Sequence, residues 1–210
     1  MKIIGIICKE DKSFNGHKTL YSYTNIFKKV LESGGYPIGI SLLDIKAAKL
    51  FLKYVDGIIF SGGDDYTQQE LELVKYLYEN DIPTLGICLG MQTMAVAFNG
   101  SLSLVKGHNN TNHEVILNKN SKIYEIIGKE KITVNSRHNY KVENTNLNVT
   151  GKSDVIEVIE DKDKQFFIGV EWHPESLDNT DTKKLFDYFV NVRKKNDIVW
   201  YPKNCKRKIN

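Results

Sequence analysis

Cys88 stands where two patterns meet inside Ile82–Phe98. The stretch before it is a short apolar run with β-branched residues, and after it Met91, Met94, Ala95 and Phe98 recur at helical spacing. Gly86 and Gly90 lie two residues to either side. A sharp strand-to-helix turn needs such glycines, because larger side chains would collide where the chain doubles back. The turn lifts the thiol clear of a sheet and sets it at a helix N-terminus, where unpaired N–H groups favour the thiolate, the form that attacks carbon. A buried structural cysteine is the other account of this segment taken alone, so the partners must decide.

A nucleophilic cysteine needs a base, and the base needs a group to orient it. The chain has five histidines, His17, His108, His113, His138 and His173. His173 is the strongest candidate: Pro174 holds it out of the helical region, and residues two apart on an extended chain face the same way, so Glu175 can fix the imidazole. A surface Trp-His-Pro-Glu turn is the plainer alternative. An oxyanion hole is the remaining requirement, with one well-placed donor worth about 2.7–4 kcal/mol of barrier. Gly63 and Leu89 can each offer a backbone N–H, Gly63 because glycine permits close approach and Leu89 because it follows the nucleophile. Taken alone, Gly62-Gly63 reads first as a tight turn.

These groups need a scaffold, and 210 residues with 41% hydrophobic content suffice for one substantial core. Lys2 to Cys8 reads as a buried first strand. Tyr23, Ile26, Phe27, Val30 and Leu31 follow at helical spacing, closed by Gly34-Gly35, and Pro37 to Ile40 is a second strand. A helix over Leu43 to Tyr54, a strand over Gly57 to Phe60, a helix over Gln68 to Asn80 and a strand ending at Cys88 complete an alternation that predicts a parallel sheet with helices on both faces. Ligand sites in such folds lie beyond the carboxyl ends of the strands, where Cys88 and Gly62-Gly63 both fall. After Gly100 come short β-like runs at Glu114–Leu117, Lys131–Val134, Val155–Ile159 and Phe166–Val170, then a helix over Thr182–Val192.

Composition narrows the function classes. The expectation is a cytoplasmic protein, since no targeting segment and no apolar run of membrane-spanning length stands out. Three cysteines, Cys8, Cys88 and Cys205, lack metal-ligand spacing, and their odd number argues against a disulfide framework. From Arg193 to Asn210 there are seven basic residues against one acidic, so the net charge of +3 belongs to this tail and the body is mildly acidic. A solvated tail accounts for that better than a nucleic-acid or membrane partner. Two units follow, a body over 1–192 and a basic tail over 193–210.

Gly-Ile-Cys-Leu-Gly-Met-Gln, Ser-Gly-Gly-Asp-Asp, Val-Asn-Ser-Arg-His and Gly-Val-Glu-Trp-His-Pro-Glu, in this order, resemble the class I glutamine amidotransferase family across Met1 to Val192. The resemblance implies a flavodoxin-like α/β three-layer sandwich with a mostly parallel central sheet and an additional small β segment. It makes Cys88 the nucleophile, His173 the general acid/base, Glu175 its orienter, and Gly63 and Leu89 the oxyanion donors. Gln92, Arg137, His138 and the backbone of Asn139 and Tyr140 match head-group positions, and neither metal nor cofactor is called for. Val134-Asn135-Ser136-Arg137-His138 and the Tyr23…Gly34-Gly35-Tyr36-Pro37 pattern are similar to the γ-glutamyl hydrolase branch.

The reaction implied is hydrolysis of a γ-glutamyl C–N bond through a thioester, on a small-molecule substrate. Relatives that cleave γ-glutamyl-γ-aminobutyrate usually carry Arg after the nucleophile and a long segment after Ser-Gly-Gly. Here Leu89 and an early Gln68 helix stand instead. His108, Arg137 and Lys141 are expected at the rim, and a basic rim suits an anionic leaving group, phosphorylated or nucleotide-linked, of the γ-glutamyl-CDP-amidate kind met in capsule biosynthesis. A γ-glutamyl-γ-aminobutyrate hydrolase, a glutaminase subunit feeding ammonia to a partner synthase, and a non-catalytic binding module are the alternatives. The oligomeric state is left open, a homodimer included.

Overall fold

In the computed structural model, residues 1–12 and 16–192 are described, and the basic tail and Cys205 lie outside them. The chain opens with β1 (Lys2–Ile7), a hairpin of β2 (Lys9–Lys12) and β3 (Lys18–Tyr21), α1 (Thr24–Glu32), β4 (Gly35–Ile40), α2 (Ile45–Phe51) and β5 (Gly57–Phe60). It continues with α3 (Gln68–Glu79), β6 (Thr84–Ile87), α4 (Leu89–Ala97), β7 (Ser101–Leu104), β8 (Asn109–Leu117) and α5 (Lys122–Ile127). The last part comprises β9 (Lys131–Arg137), β10 (Tyr140–Asn144), β11 (Asn148–Lys152), β12 (Ile156–Glu160), β13 (Phe167–Val170) and α6 (Thr180–Asn191).

Among the described residues, nine strands form the central sheet in the order β4-β1-β5-β6-β13-β12-β11-β8-β9. β4, β1, β5, β6 and β13 run parallel, with Ile4 opposite Gly57 and Ile59 opposite Leu85. The remaining four continue the sheet antiparallel. The expected small β segment is therefore partly an extension of the main sheet and partly two separate ribbons, β7 with β10 and β2 with β3.

Alternation along the strands builds two cores. Ile4, Ile6 and Ile59 pack with Ile26 and Val30 of α1 and with Leu185, Phe186 and Phe189 of α6. Ile7, Ile58 and Phe60 turn to the other face, against Leu73, Val74 and Leu77 of α3 and Met91 and Met94 of α4. The continuous β-branched runs of β1 and β5 are what strands covered on both faces require. Each fully buried side chain of this size contributes about 1.5–3 kcal/mol. That exceeds the tenths of a kcal/mol that separate helix propensities, so burial rather than propensity fixes which face each helix presents.

Local chemistry sets the helix ends. Asp44 Oδ1 accepts from the N–H groups of Lys46 and Ala47 at 2.8 and 3.1 Å, so α2 starts later than the apolar spacing predicts. It ends in a short 3₁₀ turn over Leu52–Tyr54. Thr67 and Glu70 form a reciprocal capping box on α3. Tyr23 precedes α1 and Leu31 is exposed, so of the expected helical stripe Ile26 and Val30 carry the burial. No helix among the described residues is long and apolar enough to cross a membrane.

Candidate active site

Cys88 is the residue on which β6 turns into α4. Its φ of 52° and ψ of −109° lie in a region that L-residues rarely adopt, strain of the kind that collects at functional sites. The strain is held from both sides: Cys88 N–H donates to the Val170 carbonyl at 2.8 Å, and its own carbonyl accepts from Gln92 N–H at 3.0 Å. The neighbouring glycines are explained by close approach rather than by positive φ. A Cβ on Gly86 would stand 2.8 Å from the Gly90 carbonyl carbon, and one on Gly90 would stand 2.8 Å from the Phe60 side chain. Helix α4 is thus pressed onto β5 and β6 with the thiol at its first turn.

His173 arrives from the far end of the chain, three residues beyond β13. Its Nδ1 is 2.7 Å from Glu175 Oε1, so Nε2 is the ring nitrogen that Glu175 does not engage. The pairing expected between these residues is present, but its cause differs. His173 has φ −104° and ψ 81°, and Pro174–Ser176 form a 3₁₀ turn, so a tight turn and not an extended strand folds Glu175 back onto the ring. Asn135 completes the arrangement: its Oδ1 accepts from His173 N–H at 2.8 Å and its Nδ2 donates to the His173 carbonyl at 3.0 Å.

Gly62 lies against both the Cys88 and the His173 side chains. The point where a Cβ on Gly62 would stand is 3.0 Å from His173 Cε1 and 3.9 Å from Cys88 Cβ. Both candidates therefore flank one bare stretch of backbone. The corresponding point on Gly63 is 3.1 Å from Leu89 Cδ2, so the two residues expected to supply oxyanion donors touch through the Leu89 side chain.

Electrostatics correct one expectation. The Cys88 thiol is pushed far up, first by burial and then by Glu171, Glu175 and Glu157, against which the Leu89 N–H pulls down. The helix N-terminus acts in the expected direction and is outweighed. Glu171 is itself forced well above the carboxylate range by complete burial, opposed by Gln92 and reinforced by Glu157. A resting Cys88 thiol follows.

The expected head-group residues are gathered by the fold but used differently. Gln92 is buried, and its Nε2 donates to the Tyr140 carbonyl at 3.2 Å and to Glu171. His138 is buried with Nδ1 2.7 Å from the same carbonyl, and burial lowers its pKa. Both therefore hold the Asn139–Tyr140 backbone from inside instead of facing solvent. The expected basic rim dissolves: His108 is buried with Nε2 3.0 Å from Asp154, Lys141 pairs with Glu143 at 3.2 Å, and Arg137 donates to Ser176 at 3.2 Å. Burial makes His108 a core residue and Glu143 offsets Lys141, whereas Arg137 is exposed and meets a serine hydroxyl.

Two features lie beyond the sequence reading. Tyr23 sits near the site, its phenol pushed up first by burial and then by Tyr21, Asp64, Cys88 and Glu175. A cavity of about 480 Å³ opens beside the β2–β3 hairpin, lined by Cys8, Lys9, Tyr21, Asp64 and Glu70 among others, with Cys88 not among its walls. Lys9 links the two regions, since its Cε would stand 3.3 Å from a Cβ on Gly63 while its ammonium pairs with Glu70.

Residues 19–192 match the family described as glutamine amidotransferase class-I. The chain belongs to that family. A CTP synthase of Christiangramia forsetii is 30% identical over 167 residues, covering 59% of this chain and 31% of that protein. Protein NtpR of Enterococcus hirae is 27% identical and covers 90% of this chain and 98% of its own length. The chain spans about a third of the length of the CTP synthases it matches. The glutaminase domain of Trypanosoma brucei CTPS with bound acivicin superposes over the whole of both chains with a TM-score of 0.75 at 17% identity. A Thermoplasma acidophilum protein described as a putative GMP synthase subunit gives 0.72 at 21% identity, covering 90% of this chain and 92% of that one. These likenesses bear out the flavodoxin-like α/β fold and the class I family, and do not extend to its γ-glutamyl hydrolase branch.

Proposed function

We infer that this domain is a glutaminase: it hydrolyses the side-chain amide of glutamine through a thioester on Cys88 and supplies ammonia to a partner synthase. The observation that carries the reading is the placement of Cys88 and of the His173–Glu175 pair on either side of Gly62. The similarity to CTP synthases and to a glutaminase domain favours glutamine as substrate and an ammonia-accepting synthase as partner.

In the first half-reaction the Cys88 sulfur attacks the amide carbon while its proton passes to His173 Nε2. A buried thiol pushed far above neutral pH makes this transfer necessary. Glu175 fixes the tautomer and offsets the imidazolium as it forms. The oxygen that gains charge accepts from the N–H groups of Leu89 and Gly63. Collapse breaks the C–N bond, His173 returns the proton to the departing nitrogen, and ammonia leaves. Water then attacks the thioester with His173 again as base, and glutamate is released.

The phosphorylated leaving group loses most of its physical support, because His108 faces Asp154 and Lys141 faces Glu143, which leaves Arg137 as the one expected rim cation without a carboxylate beside it among the described residues. A non-catalytic module leaves the strained φ of Cys88 without a reason. The test is glutamate release by the isolated chain from glutamine and from a panel of γ-glutamyl amines and amidates. Glutamine turnover that is slow alone and rises with a synthase present is expected. Faster turnover of any γ-glutamyl amine or amidate would replace the glutaminase reading with the hydrolase one.

A further inference from the structure

The antiparallel half of the sheet contains a buried polar cluster that the proposed reaction does not use. β8 pairs with β11 only through Ile116 and Leu117. Beyond them the turn at 153–155 carries the chain back into β12, and His113 of β8 meets Glu157 of β12 across that opening, with Nε2 and Oε1 2.6 Å apart. His108, just before β8, packs its ring 4.9 Å from that of His113. One ring nitrogen of each histidine and a carboxylate oxygen of Glu157 lie within 4.8 Å of one another.

Several polar atoms of the cluster lack partners among the described residues. Glu157 is fully buried, and Ser153 Oγ donates to its Oε1 at 2.9 Å while Oε2 has no partner. His108 Nδ1 is buried and unpartnered, and neither ring nitrogen of His113 makes a well-directed hydrogen bond, the close approach to Glu157 notwithstanding. Buried polar atoms without partners are uncommon and call for an explanation. Asp154 supplies the orienting contact: it holds His108 Nε2 at 3.0 Å, so that nitrogen carries the proton and Nδ1 presents its lone pair. A carboxylate behind a histidine is the arrangement that aims imidazoles at metals.

The geometry points to a divalent metal site of the zinc class formed by His108, His113 and Glu157, with Asp154 positioning His108. Two imidazoles and one carboxylate are a donor set that zinc takes, with a fourth position left for water. Tetrahedral ligation at zinc distances separates donor atoms by about 3.3 Å, so the His113–Glu157 contact at 2.6 Å opens by less than an ångström, and the donor atoms, all within 4.8 Å of one another, draw in by at most about 1.5 Å. The sequence expectation of no metal rests on cysteine spacing and on what the family resemblance implies for the reaction, and this set contains no cysteine and lies outside that reaction. His108 and Glu157 are remote in sequence and meet only through the sheet.

The test is binding of Zn²⁺ and Co²⁺ to the untagged full chain after chelator treatment. Elemental analysis after dialysis should find one zinc per chain, and Co²⁺ should give a tetrahedral visible spectrum without a thiolate charge-transfer band. Glu157→Gln and His113→Asn should abolish the stoichiometric zinc. Asp154→Asn, at an exposed position where the fold tolerates the change, should weaken affinity about 10- to 100-fold. Substoichiometric zinc in the wild type, a thiolate band that places the ion on Cys88, or unchanged affinity in both Asp154→Asn and folded His113→Asn would each overturn the site and leave His113–Glu157 as a proton-bridged pair.

Discussion

Asn135 grips His173 at both of its main-chain polar atoms, accepting from the N–H at 2.8 Å and donating to the carbonyl at 3.0 Å. The base is thus fixed twice, at its ring by Glu175 and at its backbone by a residue on β9. Asn135→Ala opens two largely buried hydrogen bonds, each worth about 1–3 kcal/mol when a partner is left unsatisfied. The expected outcome is a kcat lowered about 10- to 100-fold with KM little changed, the signature of lost positioning. Steady-state kinetics on glutamine checks it.

Glu175→Gln keeps the shape of the orienting side chain and removes its charge. The ring can then take the wrong tautomer, and the imidazolium loses its counter-charge. A fall in kcat of about 10²-fold or more is expected, smaller than that of Cys88→Ala. Equal kinetics for Glu175→Gln and the wild type would remove Glu175 from the site.

Gly62→Ala places a methyl 3.0 Å from His173 Cε1, tighter than nearly all real contacts. The ring must swing away from the thiol or the loop must shift. Activity should drop steeply while the melting temperature stays within a few degrees, because the added carbon enters the site and not the core. Thermal denaturation alongside kinetics separates the two effects.

Burial and neighbouring carboxylates raise the Cys88 thiol far above its ordinary value of about 8.5. Alkylation of the free protein by iodoacetamide should therefore keep climbing with pH through that value instead of levelling off there. Glu171 gives a complementary stability test. Folded Glu171 retains a proton that the unfolded chain releases above about pH 4.3, so its contribution is intact below that pH and is lost as pH rises towards the elevated folded value. The melting temperature of Glu171→Gln should gain on the wild type from pH 5 to pH 8, and a constant difference would contradict a protonated Glu171.

Much of this is legible in the sequence because the informative elements are strongly patterned. β1, β5, α3 and the β6–Cys88–α4 turn fall where periodicity and glycine placement put them. The β2–β3 hairpin does not, since Lys9–Lys12 is wholly charged and its pairing with Lys18–Tyr21 has no apolar alternation to announce it. α5 escapes the sequence reading despite a usable signal, Ser121 capping Tyr124 N–H at 3.1 Å and Gly128 ending the helix at φ 77°. Six residues are too short for a periodic pattern. The site's candidate nucleophile, base and orienter sit in local motifs, whereas Asn135, Glu157 and Glu171 acquire their roles only from cross-strand burial.

The most direct measurement is the mass of the protein quenched in acid during turnover of glutamine. A γ-glutamyl adduct confined to the peptide containing Cys88, and lost together with all turnover in Cys88→Ala, is the result expected. Turnover that persists in Cys88→Ala, or an adduct on another residue, would contradict the assignment of Cys88 as the nucleophile.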